Sequence, residues 1–227
     1  SSLPFIAGSN EDARLLWEAA RPTYEEVFER HNQVLLWATP WPPSGIWANH
    51  PITSQEDLDG LRVRAWDPSG VRTMSNAGAT AIQVSWADTV PQLASGAIEA
   101  VLTSADGGAS VKFWEFLDYF TAANYSMSLN MTHMNRDVFD SLTDEQRQIV
   151  LDAAKAAEDA SWEELSDRVE QNYVEMREND VTIIEEISPE FRASLLEAGQ
   201  QVYDDWLAQT GDEGQQILDR YYQLQGD

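Results

Sequence analysis

Between Leu61 and Phe116 the hydrophobic period switches every few residues, and no other feature restricts the fold so much. Leu61 to Ala65 predicts a strand, and Asp67-Pro68 starts a helix with proline at its first position, ending near Gly78. Thr80 to Val84 predicts a second strand. Ser85 caps a helix to about Ser95, and Gly96 ends it. Ile98 to Leu102 is a third strand, and a helix follows from near Gly108 to Phe116. Strands alternating with helices imply an α/β fold, with a largely parallel sheet covered by helices on its faces.

The flanking segments follow other rules. Leu3-Pro4-Phe5-Ile6 is apolar without a helical period. Asn10 reads as an N-cap of a helix to about Arg30, which Pro22 should bend or divide. Val34 to Trp37 predicts a short buried strand. Thr39 to Gly45, with three prolines, reads as a loop, neither regular helix nor central strand. Ser54 to Asp57 reads as a short capped turn. Ser126 to Met134 alternates with a period of two, and Asn135 starts a short helix. Thr143 and Gln146 are spaced as a capping box, opening a helical pattern that reaches about Arg177 without glycine or proline. At ~1.5 Å per residue that helix would exceed about 45 Å, longer than a small domain is wide. Val181 to Ile184 predicts a strand, Pro189 starts a further helix, and Gly211 and Gly214 separate it from a terminal one.

Charge narrows the function classes. The chain carries 39 acidic and 14 basic side chains, a net charge of −25. Nucleic acid is excluded, because a phosphate backbone needs a basic footprint, and anionic lipid is excluded for the same reason. So acidic a surface suits a salty medium, where screening weakens self-repulsion. Without cysteine there is no disulfide, thiolate metal site or cysteine nucleophile. No apolar run reaches the about 18 residues of a membrane span, and no signal peptide stands at Ser1. P-loop, GxGxxG and GxSxG patterns are missing, and His31, His50 and His133 are too far apart for a local metal motif. No cofactor or metal is expected.

Three segments in order carry a resemblance. They run from Pro51-Ile52 through Asp57-Leu58-Asp59-Gly60-Leu61-Arg62-Val63-Arg64, from Gly78-Ala79 through Val84-Ser85-Trp86, and from Leu93-Ala94-Ser95-Gly96 to Ala100. Phe139-Asp140-Ser141-Leu142-Thr143-Asp144-Glu145-Gln146-Arg147 adds a fourth. Together they resemble the DctP-type solute-binding proteins of tripartite ATP-independent periplasmic (TRAP) transporters. The resemblance implies a two-lobed α/β binding protein of the periplasmic type II kind. Sheets are flanked by helices, a cleft lies between the lobes, and one long helix spans both. It implies lobe I at residues 1–41 and 128–168 and lobe II at 42–127 and 169–227. Relatives carry further β-α-β structure ahead of the Leu3-Pro4-Phe5 segment. The first lobe is therefore expected to be incomplete in this chain, and the natural molecule longer.

Candidate site residues follow from the same alignment. Arg64 stands where the family binds a carboxylate, and a guanidinium offers two parallel bonds that lysine cannot. Read alone, Arg64 better suits a surface ion pair with one of the many carboxylates. Trp86 matches a family aromatic and reads either as a cavity wall or as a core residue at a strand-helix corner. Thr103 falls where many relatives place asparagine, so the contact there changes; Thr103 or Ser104 would equally serve as a helix cap. Trp37, Trp41, Trp47 and Trp66 cluster near loops, and Trp41 and Trp66 are the nominees for the cavity, the others serving inter-lobe contact. The implied function is capture of a small organic monocarboxylate, aromatic or branched, in the periplasm, for delivery to TRAP membrane permease subunits. The alternatives are a zwitterionic osmolyte and, further off, an enzyme using acidic residues in the same cleft. A homodimer through the long helix is compatible with each.

Overall fold

The computed structural model describes residues 3–226; positions 1 and 227 of the lobe boundaries above lie outside the described residues. Ser9, one residue before Asn10, caps α1 (Asn10–Arg30) through its Oγ, which accepts from the Asp12 N–H. Pro22 sits inside α1 without dividing it. Trp17, Ala19 and Ala20 are buried along the same helix, so tertiary burial outweighs one lost backbone bond.

β1 (Gln33–Pro40) is longer than the expected strand and pairs antiparallel with β7 (Leu129–Asn135). Its register shifts between Leu35 and Trp37, so Leu36 forms a bulge. This two-stranded sheet, with α1 and α6 (Asp144–Glu163), surrounds a core that includes Trp17, Leu35, Ala38, Met127 and Trp162. Glu158 of α6 lies inside it. Its Oε1 accepts from Trp17 Nε1 at 2.9 Å and the Ala38 N–H at 3.1 Å, and its Oε2 pairs with Arg21 Nη1 at 2.6 Å.

The second sheet has six strands in the order β4-β3-β5-β2-β6-β8. These are β2 (Ser44–Ala48), β3 (Arg62–Ala65), β4 (Thr80–Gln83), β5 (Ala100–Ser104), β6 (Tyr119–Thr121) and β8 (Thr182–Ile184). Neighbours β4-β3, β3-β5 and β6-β8 are parallel, as the alternation predicts. β2 is antiparallel to both β5 and β6, which makes the sheet mixed. It also corrects the loop expected over Thr39 to Gly45. Ser44 and Gly45 belong to a fully buried central strand, and only Trp41 to Pro43 lie outside regular structure. Gly45 is read as a loop residue, but its missing side chain serves the sheet: a Cβ there would collide with Thr121 O and the Phe120 ring.

Helices cover both faces. α2 (Pro68–Asn76), capped by Asp67, and the first part of α8 (Pro189–Gly226), through Leu195, cover the sheet face of Ile46, Val63 and Leu102. α3 (Trp86–Ala94), capped by Ser85, and α7 (Leu165–Glu178), through Met176, cover the sheet face of Trp47, Val101 and Phe120. The helix expected from Gly108 to Phe116 resolves into α4 (Ala105–Ser110) and a 3-10 turn at Phe113–Glu115, separated by left-handed Lys112. Gly108 in α4 lies against the Trp47 indole, and a Cβ would overlap that ring. Gly108→Ala is expected to destabilise the fold by about 1–3 kcal/mol through this overpacking, as measured by urea unfolding.

After α5 (Arg136–Ser141), the Thr143/Gln146 capping box opens α6 as expected. The predicted single long helix bends at Glu164, where α6 gives way to α7. Hydrogen bonds still cross the bend, from Glu164 N to Ala160 O and from Arg168 N to Glu164 O. α6 lies against β1 and α7 against α4 and β8, so the pair links the two sheets. α8 kinks at Gly211, in the expected place, and its last part returns to α1. There Arg220 donates to Thr23 Oγ1 at 2.7 Å, and the Tyr221 hydroxyl to Ile6 O at 3.0 Å.

Two short segments, Trp41 to Ser44 and Tyr125 to Ser128, join the sheets side by side. Trp41 N donates to Ser128 O (2.8 Å), Ser44 N to Ser126 O (3.0 Å) and Tyr125 N to Ser44 O (2.8 Å).

Candidate ligand-binding cavity

A cavity of about 380 Å3 opens beside these joining segments, within the size range of small-molecule pockets. All five residues nominated from the sequence line it: Trp41, Arg64, Trp66, Trp86 and Thr103. Topology explains the convergence. β3 and β5 are parallel neighbours, so their carboxyl ends reach the same edge, where α/β folds form a crevice. Arg64 lies at that end of β3 and Trp66 follows it; Thr103 lies at the end of β5. Trp86 opens α3.

Arg64 is 3% exposed, which is rare for an arginine without a carboxylate partner. Its Nε donates to Val84 O at 3.0 Å, and its guanidinium carbon sits 5.4 Å from the Trp86 ring centroid. Among the described residues, neither Nη nitrogen has an acceptor and no carboxylate lies within ion-pair distance. Burial pulls the guanidinium down to about 10, with Asp67 opposing the shift. Asp67 is itself pushed up by burial, against the Gly70 N–H and the Arg64 charge. Arg62, two residues earlier, pairs with Glu99 at 3.0 Å and stays at the surface.

The aromatic residues divide by tertiary position. Trp86 is 41% exposed, which decides against a core role; its ring leans on Phe113 at 5.8 Å. Trp41 is 40% exposed, and Trp66 meets Tyr125 edge-on at 5.7 Å. Trp47 is fully buried instead, donating from Nε1 to Ser104 O at 3.2 Å. Trp37 belongs to β1, away from the cavity lining. Ser104 is the helix cap, accepting from the Gly107 N–H at 3.0 Å, so Thr103 is not needed for that task.

Sequence reasoning missed Ser44, Asp106, Ser110 and Ser128, which also line the cavity. The Ser104-Ala105-Asp106-Gly107 run after β5 was the available signal, an acidic residue in the first turn of a capped helix. Ser128 comes from β7's approach and has no local signature. The three histidines lie outside the lining; among the described residues no three metal-ligating side chains gather.

The model of the DctP family, described as bacterial extracellular solute-binding protein, family 7, matches residues 1–210. The chain belongs to the DctP family. Among curated DctP-like relatives it is 25% identical over 232 aligned positions to the ectoine-binding periplasmic protein TeaA of Halomonas elongata, covering 96% of this chain and 66% of TeaA. It is 26% identical to the ectoine/5-hydroxyectoine-binding periplasmic protein UehA of Ruegeria pomeroyi, covering 95% and 66%. The chain thus spans slightly less than two thirds of the length of these relatives. Among solved DctP structures, that of DctP7 from Bordetella pertussis, an extracytoplasmic solute receptor binding pyroglutamic acid, superposes with a TM-score of 0.92 at 30% identity. It covers 97% of this chain and 73% of DctP7. A marine-metagenome TRAP solute-binding protein specific for pyroglutamate gives 0.89 at 28% identity. The two-lobed α/β architecture expected from the sequence is therefore that of this DctP chain.

Proposed function

We propose that this DctP-family chain is the periplasmic solute-binding component of a TRAP transporter. It captures a small organic acid in the cavity beside Arg64 and passes it unchanged to membrane permease subunits. One observation carries the reading: a buried guanidinium whose Nη nitrogens have no acceptor among the described residues opens onto an aromatic-walled cavity. A buried charge without a partner is costly, and a ligand carboxylate supplies the partner. Trp86 and Trp66 provide apolar walls, Trp41 closes the side of the joining segments, and Thr103 offers one hydroxyl. Lobe I is built on 1–41 and 128–168 and lobe II on 42–127 and 169–227, except that the part of α8 after Gly211 packs on α1 of lobe I, with the two joining segments as the hinge. No helix among the described residues is long and apolar enough to cross a membrane.

A second reading, a zwitterionic osmolyte in the same cavity, is favoured by the names of TeaA and UehA, which bind ectoine. Pyroglutamate and ectoine are both ring acids, and both belong in the first screen. In a thermal-shift assay a bound acid at about 100 times its Kd contributes about 2.7 kcal/mol, and the unfolding midpoint should rise by about 5–10 °C. Mass spectrometry of ligand released from the purified protein identifies a natural occupant. If keto, hydroxy, aromatic and zwitterionic acids all leave the midpoint unmoved, the proposal fails. Chemical turnover of the bound compound would favour an enzyme instead.

A further inference from the structure

The cavity carries opposite charges on two of its walls. Arg64 occupies the β3 side, and Asp106 stands in the first turn of α4. Three contacts reach the Asp106 carboxylate, and all of them end on Oδ1. They are Arg168 Nε at 2.9 Å, Arg168 Nη2 at 2.8 Å and Asn172 Nδ2 at 3.4 Å. Oδ2 has no partner among the described residues. The Asp106 side chain is 13% exposed and lines the cavity. Arg168 and Asn172 lie one turn apart on α7 and hold the carboxylate in one orientation. Asp106 and Trp41 also line a second cavity, of about 270 Å3, adjoining the first.

An ionised carboxylate accepts hydrogen bonds and cannot donate. With an acid's carboxylate on Arg64, as proposed above, the group that the same molecule turns towards Asp106 decides whether it stays. A second carboxylate, or a ring oxygen, meets Oδ2 lone pair to lone pair. A hydrogen-bond donor pairs with it in a site of low dielectric. The hydroxyls of Thr103 and Ser128 can rotate to suit either kind of group, so they do not discriminate, and Ser110 Oγ already donates to Gly107 O at 2.8 Å. We infer that the cavity selects acids bearing an N–H donor in addition to their carboxylate, with Asp106 Oδ2 as the acceptor that sets this specificity. Nitrogen-ring acids and zwitterions fit this description; dicarboxylates and acids without a donor do not.

Two ligands differing at one atom test the inference by isothermal titration calorimetry on the intact protein. Pyroglutamate has a ring N–H; 5-oxotetrahydrofuran-2-carboxylate keeps the carboxylate and ring carbonyl but has ring oxygen in its place. Wild type should bind the lactone acid about tenfold or more weakly than pyroglutamate. In Asp106→Ala the gap should shrink to about threefold or less, because pyroglutamate weakens while the lactone acid changes little. Each gap is a ratio within one protein, so a general folding defect does not mimic the result. Equal affinities in wild type overturn the inference and leave the Arg64 reading standing. So does binding of malate or plain monocarboxylates with neither ring acid bound. A tenfold gap that persists in Asp106→Ala gives the N–H to another group and also overturns it. If no carboxylate binds, the Arg64 reading fails and this inference with it.

Discussion

Arg64→Met should lose roughly 30- to 3,000-fold in affinity for its acid, about 2–5 kcal/mol, because the partner of a buried charge pair is removed. The same substitution should leave the ligand-free protein as stable as before, or more so. Burial already works against the charged guanidinium, which is why its pKa falls to about 10. Methionine keeps an apolar stem of similar reach without the charge, though Val84 O loses its donor. A structural arginine would behave in the opposite way, since its removal would expose an unpaired carboxylate. Calorimetric titration together with ligand-free thermal unfolding separates the two cases. Affinity retained within about threefold would remove Arg64 from the site. Arg64→Lys should also weaken binding, because an ammonium cannot make the two-pronged bond.

The pH dependence has a definite sign. Arg64 stays charged below about 10, so affinity should be flat from neutral pH upwards and fall as pH passes about 10. Its folded pKa lies below the ordinary arginine value. Between those values the unfolded chain holds the extra proton, and Arg64's own contribution to stability rises with pH. Below that window its burial is a standing penalty, which the ligand carboxylate offsets.

Glu158→Ala is expected to destabilise the protein by about 3 kcal/mol, lowering the unfolding midpoint by about 6–12 °C. The Glu158 carboxylate joins three elements: Trp17 and Arg21 of α1, Ala38 of β1, and its own α6. Its removal leaves the indole N–H of Trp17 and the backbone N–H of Ala38 buried without acceptors, each a loss of about 1–3 kcal/mol. Arg21 is partly compensated, because it also pairs with Glu25 at 2.9 Å and lies over the Trp17 ring. Glu158→Gln should fall between, since its amide oxygen can still accept while its NH2 faces Arg21. Denaturant unfolding of the three proteins gives the order. A loss below about 1 kcal/mol for the alanine variant would show that this network does not hold the first sheet together. Glu158 is not among the residues lining the cavity, so ligand affinity in the folded fraction should change little.

Most of the elements were legible because their signals are local. Ser85, Asp67-Pro68 and the Thr143/Gln146 box act within four residues of themselves, and the structure uses each of them as a cap. Arg64 and Trp86 came from an ordered set of short motifs, and Trp41 and Trp66 from the density of tryptophan near loops. Local signals failed where a distant partner decided the outcome. Two prolines ahead of Ser44 mark a loop, yet Ser44 and Gly45 begin a central strand because Thr103 and Ser104, sixty residues away in sequence, pair with them. Pro22 signals a break, yet the buried side of α1 holds the helix in one piece.

By itself, then, the sequence determined the α/β class, most of the helix caps and the kink at Gly211. These depend on periodicity and on bonds between near neighbours. Only the tertiary structure decided that β2 runs against its neighbours and that the long helix bends at Glu164. It alone sent Trp47 to the core and brought Asp106, whose Oδ2 has no partner among the described residues, into the cavity that Arg64 lines. The physical reason is that burial and charge pairing are properties of surfaces brought together from distant parts of the chain. A residue's type limits what it can do there, and its neighbours in space determine what it does.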